Sequence, residues 1–313
     1  MKLLYWHETD QYPNGIAVLF GTGLVGGAIE RAVRQAVNPV AQKMSYDWGN
    51  AETRRQQSQR IEQAAIARAA DMERPQSIAV IWAAGQSGFG STLEDMQQEL
   101  ETLKDVLALA GRLAAALPQA VHCLHHVSSS GGLFEGQVAC GPKAEPRPLR
   151  PYGSGKMLQE QAVITMPEVA RHHIYRLTSV YGHNPSGRAG LIPTLMTNAI
   201  KRRPSYIQGS LSTLRDYVLA EDVGRFMSRN ILLPGDETTC THLIAQGRPA
   251  SIFEIVQMVK KAVNMPLHLQ IDPHPSNARS MSFLPSATPE GWRPTPLLTG
   301  IAQVAQDVRL SLL

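Results

Sequence analysis

The chain has 313 residues, of which 43% are hydrophobic and 18% are charged, enough for one large globular domain or two modest ones. The net charge is +4 and the basic residues are scattered, apart from a short run at 201–203, so we expect no nucleic-acid partner. The start of the chain does not resemble a signal peptide, no apolar run is long enough for a membrane span, and the three cysteines lack paired spacing, so we expect a cytoplasmic protein without a metal site.

Apolar runs of the kind found in strands buried on both faces recur along the first part of the chain. They are 15–20 (GIAVLF), 77–85 (SIAVIWAAG), 120–130 (AVHCLHHVSSS) and 172–182 (HHIYRLTSVYG). Helical patterns separate them, at 28–37, 52–70, 93–117 and 154–166. This alternation predicts an α/β fold with a doubly wound parallel sheet of the Rossmann type.

After about residue 183 the prolines and glycines become frequent and the helical patterns shorten. We therefore predict a Rossmann domain over 1–182, to which 214–245 returns, and the glycine-rich loop that follows its first strand makes it the dinucleotide-binding domain. Residues 183–313 are predicted to form mainly a smaller mixed α/β region that binds substrate at the carboxyl edge of the sheet.

A glycine-rich loop joins the first strand to the first helix. Its GxGxxG spacing allows a tight turn, a close approach of the backbone to a pyrophosphate and close packing of helix on strand, while the helix N-terminus favours phosphate. The loop predicts a dinucleotide site made by Gly21, Thr22, Gly23, Leu24, Val25 and Gly26.

The motif also expects an acidic residue about 20 positions further on, for the adenosine ribose hydroxyls. Asp47 follows Gly26 by 21 positions, at the end of a plausible second strand, and it fits a turn residue equally well. Arg54 and Arg55 lie close enough in sequence to accommodate a 2′-phosphate instead, so both NAD and NADP stay open.

The stretch RPYGSGKMLQE, 150–160, places Tyr152 four residues before Lys156 at the start of a helical pattern. One turn of helix puts both side chains on the same face. By itself this spacing equally fits a solvated helix face.

The ordered set of motifs resembles the extended branch of the short-chain dehydrogenase/reductase superfamily, the NAD-dependent epimerase/dehydratase family. The set comprises the glycine loop, WAAG (82–85), VSSS (127–130), YGSGK (152–156), RLTSVYGHNP (176–185), LRDYVLAEDVGRF (214–226) and two segments at 245–259 and 289–304. The resemblance implies NAD or NADP as cofactor, a nucleotide sugar as substrate, and a homodimer built through the 93–117 helix. It adds Ala83, Ala84, Gly85 and Lys156 to the cofactor contacts.

The same resemblance implies the catalytic residues. A free tyrosine, with a pKa of about 10, is a weak acid or base at neutral pH, and a neighbouring ammonium favours its phenolate form. The family pattern assigns proton exchange to Tyr152 and the support of its phenolate form to Lys156. It assigns the hydrogen bond to the substrate oxygen to Ser130. Ser129 is the second choice for this bond and is also expected to contact the substrate.

Two arginines match family positions that contact the diphosphate of the substrate. Arg215 is one, with an ion pair to Asp216 or Glu221 as an equal alternative, and Arg279 is the other.

The sequence departs from the family pattern in three places. Phe20 stands where the usual first glycine would fall, and alignment on Thr102 puts Gln98 at the place of an asparagine that helps a proton relay and Glu101 at the place of a glycine. Between Asp47 and residue 77 the sequence predicts one long helix, where the family usually has helix, strand and loop. This leaves open that the third strand of the family is missing or shortened.

The strand end also bears on the reaction. Dehydratases of the family carry two acids directly after the catalytic hydroxyl, where this chain has Gly131 and Gly132, so a 4-epimerase or a ketoreductase is favoured. An idle NAD(P)-binding scaffold or regulatory protein is the alternative. His122, His125 and His126 do not predict a metal site, because His125 points away from the other two on a strand.

Overall fold

A computed structural model of the protein describes residues 1–72, 75–184, 190–272 and 279–312, so Pro185 of the 176–185 motif lies outside the described residues. The strands are β1 Lys2–Trp6, β2 Gly15–Phe20, β3 Val40–Lys43, β4 Ser77–Trp82, β5 Val121–Ser129, β6 Arg171–Leu177, β7 Ser179–Tyr181, β8 Ser205–Gln208, β9 Leu214–Arg215, β10 Tyr217–Leu219, β11 Thr239–Ile244, β12 Ala250–Ser251 and β13 Leu269–Asp272. The helices are α1 Leu24–Val37, α2 Ala51–Asp71, α3 Leu93–Ala116, α4 Ser130–Leu133, α5 Pro151–Ile164, α6 Leu191–Ile200, α7 Ala220–Leu232, α8 Ile252–Val263 and α9 Leu297–Ser311. None of the helices in these ranges is both long enough and apolar enough to cross a membrane.

The chain divides into two units. The first, the sheet unit, comprises 1–133, 148–176 and 224–242, and the second, the C-terminal unit, comprises 134–147, 177–223 and 243–313. Three of the boundaries fall inside elements, namely β6, α7 and β11. Residues 134–147 belong to the C-terminal unit, whereas the sequence grouped them with the nucleotide-binding domain.

The sheet unit is built on a sheet of seven strands, counted over the described residues, in the order β11-β6-β5-β4-β2-β1-β3. Parallel pairing of β2 with β4 and of β4 with β5 brings Phe20, Trp82 and His126 to one level at the carboxyl edge. Every residue of β2 and β4 is buried, as expected for parallel strands covered on both faces. The predicted α/β fold of the Rossmann type is confirmed.

Strand β1 is not among the strands predicted from the sequence. It pairs antiparallel with β2 on one side and with β3 on the other, so it lies between two strands that run the opposite way. Strand β3, which precedes Asp47, is therefore separated from β2, the strand before the glycine loop, by β1.

Two other segments differ in detail from their predictions. The predicted strand at 172–182 is two strands, β6 and β7, separated by Thr178, whose N–H donates to the Ile244 carbonyl oxygen at 3.1 Å. Residues 44–72 and 75–76 contain no strand, and α2 is the single long helix predicted for this part of the chain.

Helix α3 crosses the sheet unit and carries part of the site. A capping box fixes its start, since the Asp95 N–H donates to Thr92 Oγ1 at 3.2 Å and the Thr92 N–H donates to Asp95 Oδ2 at 2.8 Å. Its buried face includes Met96, Leu103 and Val106, which fixes the rotation of the helix relative to its neighbours.

The C-terminal unit has its own apolar core, supplied mainly by α6, α8 and α9. Its short strands pair as β10 with β7, β12 with β9 and β13 with β8.

Candidate functional site

The glycine loop between β2 and α1 is shaped by two close backbone contacts. Gly21 has φ +88°, and a Cβ at this residue would lie 2.4 Å from the Ala83 carbonyl oxygen. A Cβ at Gly26 would lie 1.9 Å from the Gly21 carbonyl oxygen. Around Gly23, in contrast, a Cβ would meet no atom within 4 Å. Gly21 and Gly26 are therefore required by packing, whereas Gly23 leaves open space.

The residues around this open space could hold a diphosphate. Gly23 is the N-cap residue of α1 and no side chain caps this helix, so the backbone N–H groups of the first turn face the exposed loop at Thr22 and Gly23. Such a helix start favours an anion, and a side chain at Gly23 would occupy the space that a phosphate needs.

This geometry predicts opposite outcomes for two alanine substitutions. We expect Gly26→Ala to lower the free energy of unfolding by about 3 kcal/mol, because its Cβ collides with backbone. We expect Gly23→Ala to change stability by no more than about 0.5 kcal/mol, yet to raise the Kd for NAD(H) and NADP(H) at least about tenfold. Denaturant unfolding and cofactor-fluorescence titration check both, and equal cofactor binding by wild type and Gly23→Ala would contradict the assignment of the loop.

The end of β4 runs beside this loop. The Ala83 N–H donates to the Phe20 carbonyl oxygen at 2.8 Å, and Ala84 and Gly85 continue along the carboxyl edge. A Cβ at Gly85 would lie 3.2 Å from Glu99 Oε1. The segment 83–85 therefore runs from beside the glycine loop to α3.

Asp47 lies in a loop that follows β3 and returns across the edge of the sheet. The Tyr46 ring packs edge-on against Phe20 with centroids 4.8 Å apart, and the Trp48 ring lies 6.1 Å from Trp82. Asp47 Oδ1 accepts the N–H groups of Gly49 and Asn50 at 2.8 and 2.7 Å, and these bonds lower the pKa of its carboxyl. The acid is ionised and accessible, as a ribose ligand must be.

The two arginines considered for a 2′-phosphate differ in their surroundings. Arg54 is buried, and its Nε donates to Asp105 Oδ2 at 2.8 Å, so this guanidinium joins α2 to α3. Arg55 is exposed, with Glu52 at 3.7 Å. Burial and pairing make Arg54 a structural residue, which leaves Arg55 as the accessible cation of the two.

Tyr152 and Lys156 lie together on the first turns of α5. Helix α5 begins at Pro151, earlier than predicted, and the Lys156 ammonium lies 5.9 Å from the centroid of the Tyr152 ring. Gly132 is pressed against the same ring, because a Cβ there would lie 2.8 Å from Tyr152 Cδ1. The end of the serine strand and the start of α5 are therefore in direct contact at Tyr152.

The Lys156 ammonium is buried in a network of polar side chains. It donates to Glu99 Oε1 at 2.8 Å and to Gln159 Oε1 at 2.9 Å, and Gln159 Nε2 donates to the same Glu99 oxygen at 3.0 Å. Burial by itself would raise the pKa of the Glu99 carboxyl, but the charge of Lys156 and the hydrogen bonds from Lys156, Gln159 and Ser87 outweigh it and lower the pKa to about 2. Lys156 and Glu99 therefore form a buried ion pair, and Gln159 is hydrogen-bonded to both partners.

Glu99 and Gln159 are not among the site residues predicted from the sequence. The neighbouring Gln98 aligns with the relay asparagine, but Gln98 is exposed, and its backbone carbonyl oxygen accepts the Thr102 hydroxyl at 2.9 Å. The signal for Glu99 was helical periodicity, since it lies three residues after the buried Met96 and four before the buried Leu103.

The three serines at the end of β5 point in different directions. Ser130 is fully buried and its hydroxyl donates to the Arg176 carbonyl oxygen at 2.7 Å. Ser128 is also buried and donates to Glu160 Oε1 at 2.5 Å. Ser129 is partly exposed, and its hydroxyl accepts the N–H of Gly132, the residue that touches Tyr152, at 3.2 Å. The Ser129 hydroxyl is thus hydrogen-bonded to the residue that packs on Tyr152, whereas the Ser130 hydroxyl is hydrogen-bonded to the backbone of β6.

The three strand histidines are likewise separated. His122 Nε2 lies 2.8 Å from the Leu117 carbonyl oxygen. His126 is buried near Lys156, and burial and that charge lower the pKa of His126 to about 3. His125 stacks on His173 at 4.8 Å between ring centroids.

In the C-terminal unit the structure brings the two predicted substrate arginines together. Arg215 Nη1 donates to the carbonyl oxygens of Leu214 and Arg279, and Arg279 Nη1 lies 4.0 Å from the buried carboxylate of Glu135. Asp216 is fully buried, and its carboxylate accepts the N–H groups of Gln246 and Gly247 at 2.6 and 2.9 Å.

Solved structures similar to this fold include two UDP-glucose 4-epimerases. The enzyme of Thermotoga maritima, solved with UDP-glucose, is 17% identical with a TM-score of 0.71 over 95% of this chain and 99% of that chain. The enzyme of Thermus thermophilus, solved with NAD, is 20% identical with a TM-score of 0.70 over 94% of this chain and 98% of that chain. RMD from Pseudomonas aeruginosa, complexed with NADPH, is 19% identical with a TM-score of 0.61 over 76% of this chain and 82% of that chain. At these identities the likeness concerns the fold.

The sequence itself carries the assignment to a family. No curated protein has a sequence that matches the chain. Residues 16–235 match the NAD dependent epimerase/dehydratase family, and this range includes the glycine loop, the serine strand and α5. The chain belongs to the NAD-dependent epimerase/dehydratase family.

Proposed function

We propose that this protein is an NAD(P)-dependent enzyme that interconverts an alcohol and a ketone on a nucleotide sugar, as a 4-epimerase or as a ketoreductase. The observation that carries the proposal is the contact of Tyr152 with both Lys156 and the end of the serine strand, in the same unit as the open glycine loop. The substrate class is supported by the similar structure of the Thermotoga maritima enzyme, which was solved with UDP-glucose.

The residues of this chain divide the work of binding and proton transfer. The glycine loop and the start of α1 would hold the diphosphate of NAD or NADP, Asp47 the adenosine ribose, and Lys156 the nicotinamide ribose. The bound cofactor supplies the hydride acceptor and donor. Tyr152 takes the proton from the substrate hydroxyl and returns it, and a serine hydroxyl bonds the substrate oxygen as charge develops on it.

A dehydratase is disfavoured by packing as well as by sequence. Loss of water from the sugar needs an acid and a base next to the catalytic hydroxyl. Ser130 and Gly131 follow Ser129, and Gly131 and Gly132 follow Ser130, so neither serine is followed by an acid. A side chain at Gly132 would also meet the Tyr152 ring, because a Cβ there would lie 2.8 Å from Tyr152 Cδ1. Proton exchange at a single carbon needs only the tyrosine.

The serine hydroxyl closest to Tyr152 is expected to be that of Ser129. We expect Ser129→Ala to lower kcat about 10²-fold or more, and Ser130→Ala, which removes a bond to the Arg176 backbone, to act mainly by lowering the free energy of unfolding by about 1 kcal/mol. Single-turnover rates and denaturant unfolding of both variants separate these effects. If Ser130→Ala loses the larger share of kcat at full stability, the family alignment is right and the assignment to Ser129 fails.

The substrate class is tested by ligand binding and product analysis. A ligand that binds only the folded state raises the Tm, so UDP-, GDP- and dTDP-sugars can be screened with saturating NAD(H) or NADP(H). The sugar that shifts the Tm is then incubated with the enzyme, and its C4 epimer or its reduced product is sought. The absence of a shift with any nucleotide sugar would rule out this substrate class.

A second candidate is an NAD(P)-binding protein without catalytic activity. It is favoured by the Glu99 carboxylate, which pairs with the Lys156 ammonium at 2.8 Å and so compensates the charge that supports a tyrosinate. The retained Tyr152, Lys156 and serine hydroxyls favour the enzyme.

A homodimer also remains a proposal. The outer face of α5 exposes Met157, Leu158 and Ile164, an apolar stripe suited to a second copy of the chain. Light scattering of the purified protein would measure its mass in solution.

A further inference from the structure

A cluster of stacked rings lies at one edge of the sheet, apart from Tyr152 and the glycine loop. The rings of His125 and His173 stack with centroids 4.8 Å apart, and those of His173 and His242 lie 5.7 Å apart and 9° from parallel. These side chains come from β5, β6 and β11, three neighbouring strands of the sheet unit. The proposed proton transfer by Tyr152 makes no use of them.

Three metal-binding side chains converge at the outer end of this cluster. Ligand atoms of His173, Cys240 and His242 lie within 4.8 Å of one another. His173 Nδ1 is 3.4 Å from His242 Nε2. Two imidazole nitrogens on one tetrahedral Zn²⁺ ion, with Zn–N bonds of about 2.0–2.1 Å, lie about 3.4 Å apart, which is the separation of these two nitrogens. Their lone pairs lie in ring planes that are 9° from parallel, so the His242 ring must turn for both nitrogens to face one ion.

A fourth ligand is at hand. The Cys240 thiol contacts Glu237 Oε2 at 2.6 Å, and Glu237 is exposed on the segment that leads into β11. A small rotation of the partly exposed side chains of Cys240 and His242 would bring the thiol and this carboxylate to the histidine nitrogens. Because β11 is the edge strand of the sheet, an ion from solvent can reach the group.

We infer that His173, Cys240, His242 and Glu237 form a binding site for a zinc ion that ties the edge strand β11 to β6. Two imidazoles with one thiolate suit Zn²⁺, whereas Mg²⁺ and Ca²⁺ prefer oxygen ligands. On binding, the thiol gives up its proton to solvent as the Zn–S bond forms, so one proton leaves for each ion bound.

The sequence signal is the spacing Cys240-Thr-His242. Residues two apart on a strand point to the same face, so Cys240 and His242 project together toward His173 on the adjacent strand. No metal site is predicted from the sequence, because the cysteines lack paired spacing and because His125 points away from the other two histidines of β5. Neither observation concerns the combination of one cysteine with histidines of two other strands.

Cobalt titration of the full chain tests the site directly. Co²⁺ with a thiolate ligand gives a charge-transfer band in the near ultraviolet, and we expect this band at one equivalent of Co²⁺ and its loss when Zn²⁺ is added. Cys240→Ser should abolish the band, and His242→Gln should raise the Kd for Zn²⁺ more than about tenfold. The matched controls Cys140→Ser and His268→Gln should bind as wild type. A wild-type protein without the band, or a band that survives Cys240→Ser, would overturn the inference.

A second measurement uses the unaltered protein, so it does not depend on the folding of any variant. Zn²⁺ should slow alkylation of Cys240 by iodoacetamide, located by mass spectrometry of peptides, and should leave the rates at Cys123 and Cys140 unchanged. Equal rates of alkylation at Cys240 with and without Zn²⁺ would contradict the site.

Discussion

Replacement of Tyr152 by phenylalanine is expected to lower kcat by about 10²–10⁴-fold, the usual contribution of a positioned acid or base. The substitution removes one oxygen and keeps the ring, which packs against Phe89 with centroids 6.0 Å apart and against Gly132. Because that packing is retained, the fold and the glycine loop should be unaffected, and the Kd for NAD(H) or NADP(H) should stay within about twofold of wild type. Single-turnover kinetics and cofactor titration measure the two quantities.

The control for this substitution is Tyr12→Phe. Tyr12 precedes β2, at the end of the strand opposite the glycine loop, so the loss of its hydroxyl should leave kcat unchanged. Activity of Tyr152→Phe at the wild-type level on a confirmed substrate would exclude proton transfer by Tyr152. A protein that binds cofactor and turns over no nucleotide sugar, with or without the substitution, would instead favour the scaffold role.

Much of the sheet unit was predictable, because its signals are local. Strands β2 and β4 are nearly uninterrupted apolar runs, and the turn between β2 and α1 needs glycine at residue 21 for its φ of +88° and at residue 26 for its contact with the Gly21 carbonyl oxygen. Strand β1 has only a short apolar run, residues 3–6. It is held by pairing with β2, across the loop 7–14, and with β3, much further along the chain, and its antiparallel insertion cannot be read from its own five residues.

The candidate site shows the same division. Tyr152 and Lys156 are one helical turn apart, so their proximity follows from sequence spacing alone. The partner of Lys156 comes from α3, 57 positions earlier, and its identity depends on how α3 rotates against α5. The choice between Ser129 and Ser130 depends on whether a side chain at the strand end faces α5 or β6, which the motif alignment does not encode.

The second large effect is expected for Glu99→Gln. The Glu99 side chain is 9% exposed and that of Lys156 is 6% exposed, so the pair is shielded from water. Removal of one charge leaves the Lys156 ammonium buried without its counter-ion, which costs about 3–5 kcal/mol in comparable buried pairs. We expect a loss of this size in the free energy of unfolding at pH 7, measured by denaturant titration. The matched control is Glu101→Gln on the same helix, whose pair with Lys104 is exposed and should contribute less than about 1 kcal/mol.

The pH dependence of this loss separates the ion pair from simple packing. The pKa of Glu99 is lowered in the folded protein from its ordinary 4.5 to about 2, so folding favours the ionised carboxylate. Its contribution to stability is therefore complete above pH 4.5 and is lost as the pH falls toward 2. The difference in the free energy of unfolding between wild type and Glu99→Gln should shrink over that interval, since protonated glutamate and glutamine are then both neutral partners of Lys156. A difference that stays constant from pH 7 to pH 3 would mean that Glu99 acts through its shape, and the compensated charge of Lys156 would have to be assigned to another group.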